Sequence, residues 1–484
     1  MRPPSSELCI ASMTDTYSTV KPVNEVRSWA QKRDVRVPWF LLIYLAAITI
    51  IGKGPTYLGY PPLYWGEIVL AMSLWAILPW IWNTNSIGRT GLLTLLILAF
   101  MTLGAVLTIH SVPRWGLDAL RDAAVWYYGA FFFIGLALAS RQAVADRVWR
   151  ILQIIWIISL IWNTADILSQ HRLSQSGPLI PWRGVPIFFN STHEAGQNLA
   201  LGALIVLCTS FLCKRPVLRA VLGGVAMLGL VAFAMSEGRG MRIGIAAGVG
   251  VVILAGLGSR RRSWFNERLL TLTAAAIPLI LLAGLLFSGR IAKYANLDRF
   301  AQADPANPEG TANWRMIWWQ NLYDHVMATD PVFGIGFGES LYTYNPFLEA
   351  INDELVVRSP HNFNMTVFTR MGFVGLFFWA GILIVGIGSL WLRLWSGATT
   401  RGQPYTQERR DEVAFWVVML VCTVVNSSFG VLMEGPVLGI WFWFALGFAS
   451  GRALTPGAAV EPVRQRVARL ILRQRIAEYL MPAN

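Results

Sequence analysis

Three polar segments of this 484-residue chain carry side chains suited to hold an anion or to move a proton. The first, residues 236–242, reads Ser-Glu-Gly-Arg-Gly-Met-Arg and places Arg239 and Arg242 at the start of an apolar run. Two arginines beside the exposed backbone N–H groups of a helix start favour a phosphate or diphosphate site. The segment is equally typical of a hairpin whose arginines contact lipid headgroups.

The second segment adds another arginine and a group of tryptophans. Residues 313–319 read Asn-Trp-Arg-Met-Ile-Trp-Trp and predict an amphipathic helix that carries Arg315 and runs to about Met327. Its indole rings are suited either to the membrane interface or to stacking on sugar rings. Farther on, Gly-Ile-Gly-Phe-Gly at 334–338 has the wrong spacing for a dinucleotide fingerprint and predicts a tight turn.

The third segment centres on His361, which lies between Pro360 and Asn362 just before an apolar run. An imidazole in that place can take a proton from a hydroxyl near neutral pH, although a structural histidine at the membrane interface fits the same pattern. The chain has 5 histidines, and their spacing does not follow a metal-binding pattern such as HxxxH. We therefore predict no metal site.

Membrane helices must position these residues. The chain is 55% hydrophobic and 14% charged, with a mean hydropathy of +0.49, whereas soluble domains average about 25% charged. The apolar runs predict an all-α integral membrane protein with about twelve transmembrane helices. They lie near 38–52, 63–82, 90–109, 123–140, 148–168, 194–213, 217–235, 242–257, 268–288, 363–392, 413–433 and 435–451.

Lys and Arg concentrate in alternate loops, and the positive-inside rule therefore predicts that both termini are cytoplasmic. The net charge of +13 then reflects topology and anionic lipid contact more than nucleic-acid binding. The predicted parts are a cytoplasmic lead (1–37), nine helices (38–288), a large periplasmic loop (289–362), three helices (363–452) and a basic cytoplasmic tail (453–484). We place the protein in the bacterial inner membrane.

Several acidic residues border the predicted spans at their external ends, and Arg370 lies about 12 Å into its helix from the same side. Ionisable groups at one common depth favour a single cavity that opens outward, although charges that snorkel from helix ends fit as well. The acidic residues are Glu67, Asp166, Glu194, Glu237 and Glu434.

The order of these motifs resembles the O-antigen ligase and O-antigen polymerase superfamily, which includes related protein O-oligosaccharyltransferases. The resemblance rests on Ser-x-x-Arg-Gly, Arg-x-x-x-Trp, Gly-x-Gly-x-Gly and His-Asn ahead of a glycine-rich span. It is strongest over 236–376 and extends more loosely to 188–201.

The resemblance implies a GT-C-like glycosyltransferase that works at the periplasmic face without metal, nucleotide sugar or other cofactor. Its donor would be a glycan on undecaprenyl diphosphate. Arg239 and Arg315 match the family's diphosphate-binding arginines, and His361 matches the histidine that activates the acceptor hydroxyl.

The first motif departs from the family pattern. Gly238 stands where the family often has a second serine, and Glu237 precedes it. We therefore expect Arg242 to share the anion-binding role. Glu237, Asn362 and Arg370 are predicted to support the site.

Three functions fit these features. The first is ligation of a lipid-linked glycan to lipid A–core, and the second is polymerisation, in which the acceptor is another lipid-linked repeat of an O-antigen or exopolysaccharide. Both involve membrane lipids and neither involves nucleic acid. The third is a solute transporter, which would show paired broken helices and ionisable residues near the midplane, and the sequence shows neither clearly.

Overall fold

The computed structural model describes residues 37–60, 63–81, 90–181, 184–189, 192–213, 215–236, 239–258, 312–345, 359–397 and 405–454. Over these ranges the regular structure is almost entirely α-helical, which confirms the predicted all-α class. Two short antiparallel hairpins are the described exceptions. One pairs β1 (Gly59–Tyr60) with β2 (Leu63–Tyr64), and the other pairs β3 (Leu179–Ile180) with β4 (Val185–Pro186).

The described helices form a bundle of long and short segments. In chain order they are α1 (Trp39–Ile50), α2 (Trp65–Ile81), α3 (Gly91–Trp115), α4 (Leu117–Asp122), α5 (Ala124–Tyr127), α6 (Ala130–Ala139), α7 (Gln142–Leu168), α8 (Arg172–Gln175), α9 (Thr192–Leu212), α10 (Pro216–Met235), α11 (Arg239–Gly258), α12 (Ala312–Thr329), α13 (Phe363–Ser396), α14 (Gln407–Ser427) and α15 (Pro436–Leu454). Single 3₁₀ turns occupy Gly54–Tyr57 and Leu341–Tyr344.

Length and composition suit this bundle to a membrane. Among the described residues, 5 helical stretches are long and apolar enough to cross one: Gly91–Trp115, Leu117–Ala139, Gln142–Leu168, Pro216–Met235 and Phe363–Ser396. Large apolar side chains also point outward, and Trp75, Ile109, Val217 and Ile384 are each more than 70% exposed. So much outward apolar surface is typical of lipid contact rather than of a soluble protein.

The helix boundaries differ from the predicted spans in two instructive places. The predicted span 123–140 begins later than the helical stretch Leu117–Ala139 that contains most of it, and short breaks at Ala123 and Gly129, where the backbone stays right-handed, divide that stretch into α4, α5 and α6. Helix α14 ends at Ser427, before the predicted edge at 433. There the polar residues Ser427 and Ser428 stop the helix, whereas the apolar side chains after them prolonged the hydropathy signal. The predicted span 268–288 lies outside the described residues.

Small residues let the helices approach closely in the bundle core. A Cβ atom on Gly447 of α15 would lie 1.9 Å from the carbonyl oxygen of Phe132 in α6, and one on Gly135 would lie 2.3 Å from that of Phe444. The two helices therefore touch backbone to backbone, as small-residue interfaces in membranes allow. This contact fixes the position of α15, whose first residue follows the loop at the candidate site.

A buried ionic cluster fixes the opposite ends of α14 and α15. Arg452 contacts Glu412 (Nη2 to Oε2, 2.6 Å) and Asp146 of α7 (Nη1 to Oδ1, 2.6 Å). Arg409 reaches the same Glu412 oxygen at 3.2 Å. Because the charges compensate one another, the cluster holds the α14–α15 pair against α7.

Candidate functional site

Three glycines at four-residue spacing allow helix α11 to pack closely against α14. Cβ atoms on Gly244 and Gly248 would each lie 2.7 Å from a backbone oxygen of α14, and one on Gly240 would lie 2.8 Å from the Phe429 Cβ. This G-x-x-x-G-x-x-x-G pattern places the first turn of α11 beside the end of α14. Arg239 is the first residue of that turn, although its side chain and Glu237 lie outside what the structure describes.

Arg242 closes the turn between α10 and α11. Its Nη2 donates to the carbonyl oxygen of Ala234 at 2.9 Å and also to that of Ser236. These carbonyls belong to the end of α10, where a cation offsets the partial negative charge of the helix terminus. Arg242 therefore lies in the predicted segment, with one nitrogen already used by the fold.

Helix α12 brings Arg315 to the loop that joins α14 and α15, residues 428–435. Arg315 is half-buried, and its Nη1 donates to the carbonyl oxygen of Phe429 at 2.9 Å. Since Phe429 also contacts Gly240, the Arg315 side chain and the first turn of α11 meet at one residue of this loop. The arginines at 239 and 315 are thus brought to the same part of the fold.

The tryptophans of α12 dock the helix. Trp318 is fully buried and donates from Nε1 to the carbonyl oxygen of Leu341 at 3.0 Å. Trp319 donates in the same way to Pro360 at 2.7 Å, immediately before His361. Of the two roles considered for these rings, burial against protein backbone excludes sugar stacking for Trp318.

His361 lies in a turn with an unusual backbone. Its φ of 55° is in the left-handed region, which a residue other than glycine occupies at a cost of roughly 1–3 kcal/mol. The half-buried imidazole lies 6.5 Å from the Trp318 ring, measured between centroids. Asn362 then caps α13 by accepting from the backbone N–H groups of Asn364 (3.0 Å) and Met365 (3.3 Å). A strained turn held from both sides is typical of a functional position.

The α14–α15 loop also contacts the start of α13. Asn364 donates from Nδ2 to the Ser428 hydroxyl at 3.2 Å, and the Thr366 hydroxyl hydrogen-bonds the carboxyl group of Glu434. With the contacts at Phe429, this loop is where α11, α12 and the first turn of α13, which follows His361, come together. Most of this loop lies within the predicted spans 413–433 and 435–451.

Arg370 has a different place from the other arginines. It is 2% exposed, and its Nη2 contacts Asp122 Oδ2 at 2.6 Å. It also donates to the carbonyl oxygens of Gly336 (Nη1, 3.1 Å) and Glu339 (Nη2, 2.6 Å). Its support for the site is therefore indirect, because it fastens the glycine turn to α4 and α13.

The glycine turn is the tight turn that the spacing predicted. Gly334, Gly336 and Gly338 have φ values of 75°, 78° and 100°, which only glycine adopts readily. The turn packs into a kink of α13 at Gly372, whose φ is 62°. Backbone N–H groups freed by the kink bond to the neighbouring segment instead, as Phe373 does to Pro331 at 2.9 Å.

Two charged residues near Glu434 of the α14–α15 loop are Glu194, which the sequence predicted at the external end of a span, and Lys53, which it did not. Glu194 is buried at the start of α9, and Lys53 follows α1. Burial lowers the pKa of Lys53, but Glu194, Tyr57 and Glu434 more than offset this, and the net pKa is raised. Lys53 thus stays cationic, and its position among acidic side chains is a feature that the sequence analysis missed.

A ladder of amides lies under the same loop. Asn426 donates to Gln197 Oε1 at 3.1 Å, and Gln197 donates to the Thr423 hydroxyl at 2.8 Å. All three are buried, and they join α9 to α14. Buried amides in an apolar span are a sequence signal that identifies a polar interior.

Together these features define a helical membrane protein in which Arg315, the first turn of α11 and the start of α13, directly after the strained His361 turn, meet at one loop that carries Glu434. Residues 224–380 match the family model described as O-antigen ligase, which confirms the predicted resemblance to the O-antigen ligase and polymerase superfamily. That range includes both arginine segments, the glycine turn and His361, but not the α14–α15 loop. A comparison with curated proteins gives no match.

Proposed function

We propose that this protein is a membrane glycosyltransferase that moves a glycan from undecaprenyl diphosphate to a hydroxyl of lipid A–core. The family match supports a ligase or polymerase type of function. The observation that carries the proposal is the meeting of Arg315, the first turn of α11 and the first turn of α13 at the α14–α15 loop.

The donor diphosphate would be held by Arg239 and Arg315, with the N–H groups of the α11 start beside them. As the bond from the anomeric carbon to the diphosphate oxygen breaks, negative charge develops on the leaving group. Guanidinium groups stabilise that charge most strongly where water is excluded. Arg242 would add to the local positive potential from its place at the end of α10.

His361 would act as the general base. The acceptor hydroxyl attacks the anomeric carbon and gives its proton to the imidazole, and undecaprenyl diphosphate departs. The left-handed turn fixes the imidazole between Trp319, which holds the Pro360 carbonyl, and the Asn362 cap. Neither the donor clamp nor the base requires a metal ion or another cofactor in this scheme.

The membrane arrangement is part of the proposal. About twelve helices in a GT-C-like fold would place both termini in the cytoplasm and the site at the periplasmic face of the inner membrane. The described parts of the predicted periplasmic loop, 312–345 and 359–362, would cover the glycan. The lipid chain of the donor would enter between helices.

The test uses purified protein in lipid nanodiscs with an undecaprenyl-diphosphate-linked glycan, with and without lipid A–core. Glycan attached to lipid A–core is the expected product. Longer lipid-linked chains without lipid A–core would instead identify a polymerase. Solute uptake into proteoliposomes with no glycan transfer would refute both enzyme functions and favour a transporter.

A further inference from the structure

Glu434 is a carboxyl group at the meeting point that the proposed mechanism does not use. It lies in the α14–α15 loop, where Oε1 hydrogen-bonds the Thr366 hydroxyl. Glu434 as a whole is half-buried, but its Oε2 atom is buried and accepts no hydrogen bond of normal geometry from the residues that the structure describes, the nearby Ser359 hydroxyl included. An ionised carboxylate buried with an unpaired oxygen is costly, whereas a neutral acid tolerates that environment far better.

The number of hydrogen atoms available around the Thr366 hydroxyl also favours a neutral Glu434. Its hydroxyl lies within hydrogen-bonding distance of two oxygens, Glu434 Oε1 and the Asn362 carbonyl oxygen, the latter at 3.2 Å. A hydroxyl has one hydrogen, and a peptide carbonyl only accepts. Both contacts are complete hydrogen bonds only when the Glu434 carboxyl supplies the second hydrogen.

Some neighbours of Glu434 favour its neutral form and others favour its charged form. Burial raises the pKa of Glu434; the hydroxyls of Ser359 and Thr366 oppose this shift, Asp122 adds to it and Arg370 opposes it. Lys53, on the loop after α1, also faces this carboxyl group and favours its charged form. The net direction is upward, in agreement with the hydrogen count.

We infer that Glu434 is a positioning residue that works as a neutral carboxylic acid. It donates to the Thr366 hydroxyl, which then donates to the Asn362 carbonyl and so holds the turn that carries His361. When Glu434 ionises, its carboxylate and the Asn362 carbonyl oxygen compete for the single hydrogen of the Thr366 hydroxyl. The turn that carries His361 is then held less firmly. The effect on rate rests on the proposed transfer reaction, but the protonation state does not.

The first experiment measures the protonation state of the Glu434 carboxyl group directly. Infrared spectra of the full-length protein in nanodiscs should show a carboxylic-acid carbonyl band at neutral pH that is lost in Glu434→Gln. The matched control is Glu67→Gln, because Glu67 lies at the same end of the bundle with both carboxylate oxygens hydrogen-bonded, to Tyr64 N–H and to Tyr127 and Tyr128 hydroxyls. The control should keep the band.

The second experiment measures transfer against pH. Wild-type kcat should rise as His361 loses its proton and fall again as Glu434 ionises. Glu434→Gln keeps an N–H donor that cannot ionise, so it should retain kcat within about threefold and lose the alkaline fall. Glu434→Ala should lower kcat roughly 10- to 100-fold with little change in the donor KM, as expected when a catalytic group is misplaced.

A third variant guards against misfolding. Thr366→Val should lower kcat to the same degree as Glu434→Ala, and the double variant should lose no more than either single one, because both act through one hydrogen-bond chain. A Glu434→Gln variant as slow as Glu434→Ala, or a wild-type spectrum without the band, would overturn the inference in favour of a carboxylate paired with Lys53. If wild-type protein transfers no glycan, the proposed function fails, while the infrared band still decides the state of Glu434.

Discussion

Replacing Arg370 should destabilise the protein without directly touching the donor. Arg370→Ala removes at least three hydrogen bonds and the ion pair to Asp122, whose side chain is 13% exposed and still accepts from the Gly338 N–H at 3.1 Å. Breaking a buried ion pair from one side costs about 3–5 kcal/mol. The measurement is the thermal unfolding midpoint of the detergent-purified protein, which we expect to fall sharply, together with donor binding below that midpoint.

Two comparisons make this prediction refutable. Arg114→Ala is the matched control, since Arg114 is exposed and stacks on Trp115 at 4.8 Å, a contact worth only about 0.5–1 kcal/mol. Arg370→Met combined with Asp122→Leu should recover much of the lost stability, because no charge is then left unpaired. If Arg370→Ala keeps the wild-type midpoint and only weakens donor binding, Arg370 is a substrate ligand and not a structural ion-pair partner of Asp122.

Three further predictions concern the site and the kink. His361→Ala should lower glycan transfer about 10²–10⁴-fold with donor affinity retained, whereas His110→Ala, an exposed histidine on α3, should leave transfer unchanged. Arg315→Gln should reduce kcat about 10²–10³-fold and weaken donor binding in a titration; full activity would exclude Arg315 from the donor clamp. Gly372→Ala should destabilise the protein, since its Cβ would lie 2.3 Å from a carbonyl oxygen, whereas Gly388→Ala on the same helix meets nothing within 4 Å and should unfold like wild type.

The parts of the fold that local pattern determines were predictable. The glycines at 334, 336 and 338 identify a tight turn because only glycine adopts those backbone angles without cost. A helix likewise lies where the Asn-Trp-Arg segment predicted one, at Ala312–Thr329. The apolar runs located the described membrane helices with most ends within a few residues, but they missed polar stops such as Ser427, where apolar side chains continue beyond the helix.

The centre of the candidate site was not predictable in the same way. Its key acceptor is the Phe429 backbone carbonyl, which no residue type reveals, and Arg315 reaches it across 114 positions of the chain. The loop around it reads as apolar. The spacing of Gly240, Gly244 and Gly248 is the signal that would have predicted a closely packed partner for this face of α11, although not that the partner is α14.

The α14–α15 loop also constrains how the protein can be recombined. A chimaera that took residues 224–380 from a relative would keep the native loop, which lies outside the matched range. Arg315 donates to a main-chain oxygen, which every residue supplies, so this hydrogen bond would form in the chimaera whatever residue stands at position 429. The hydrogen bonds from Asn364 to Ser428 and between Thr366 and Glu434 need a specific side chain at each end. Positions 428 and 434 would therefore have to be taken from the same relative as the transplanted segment.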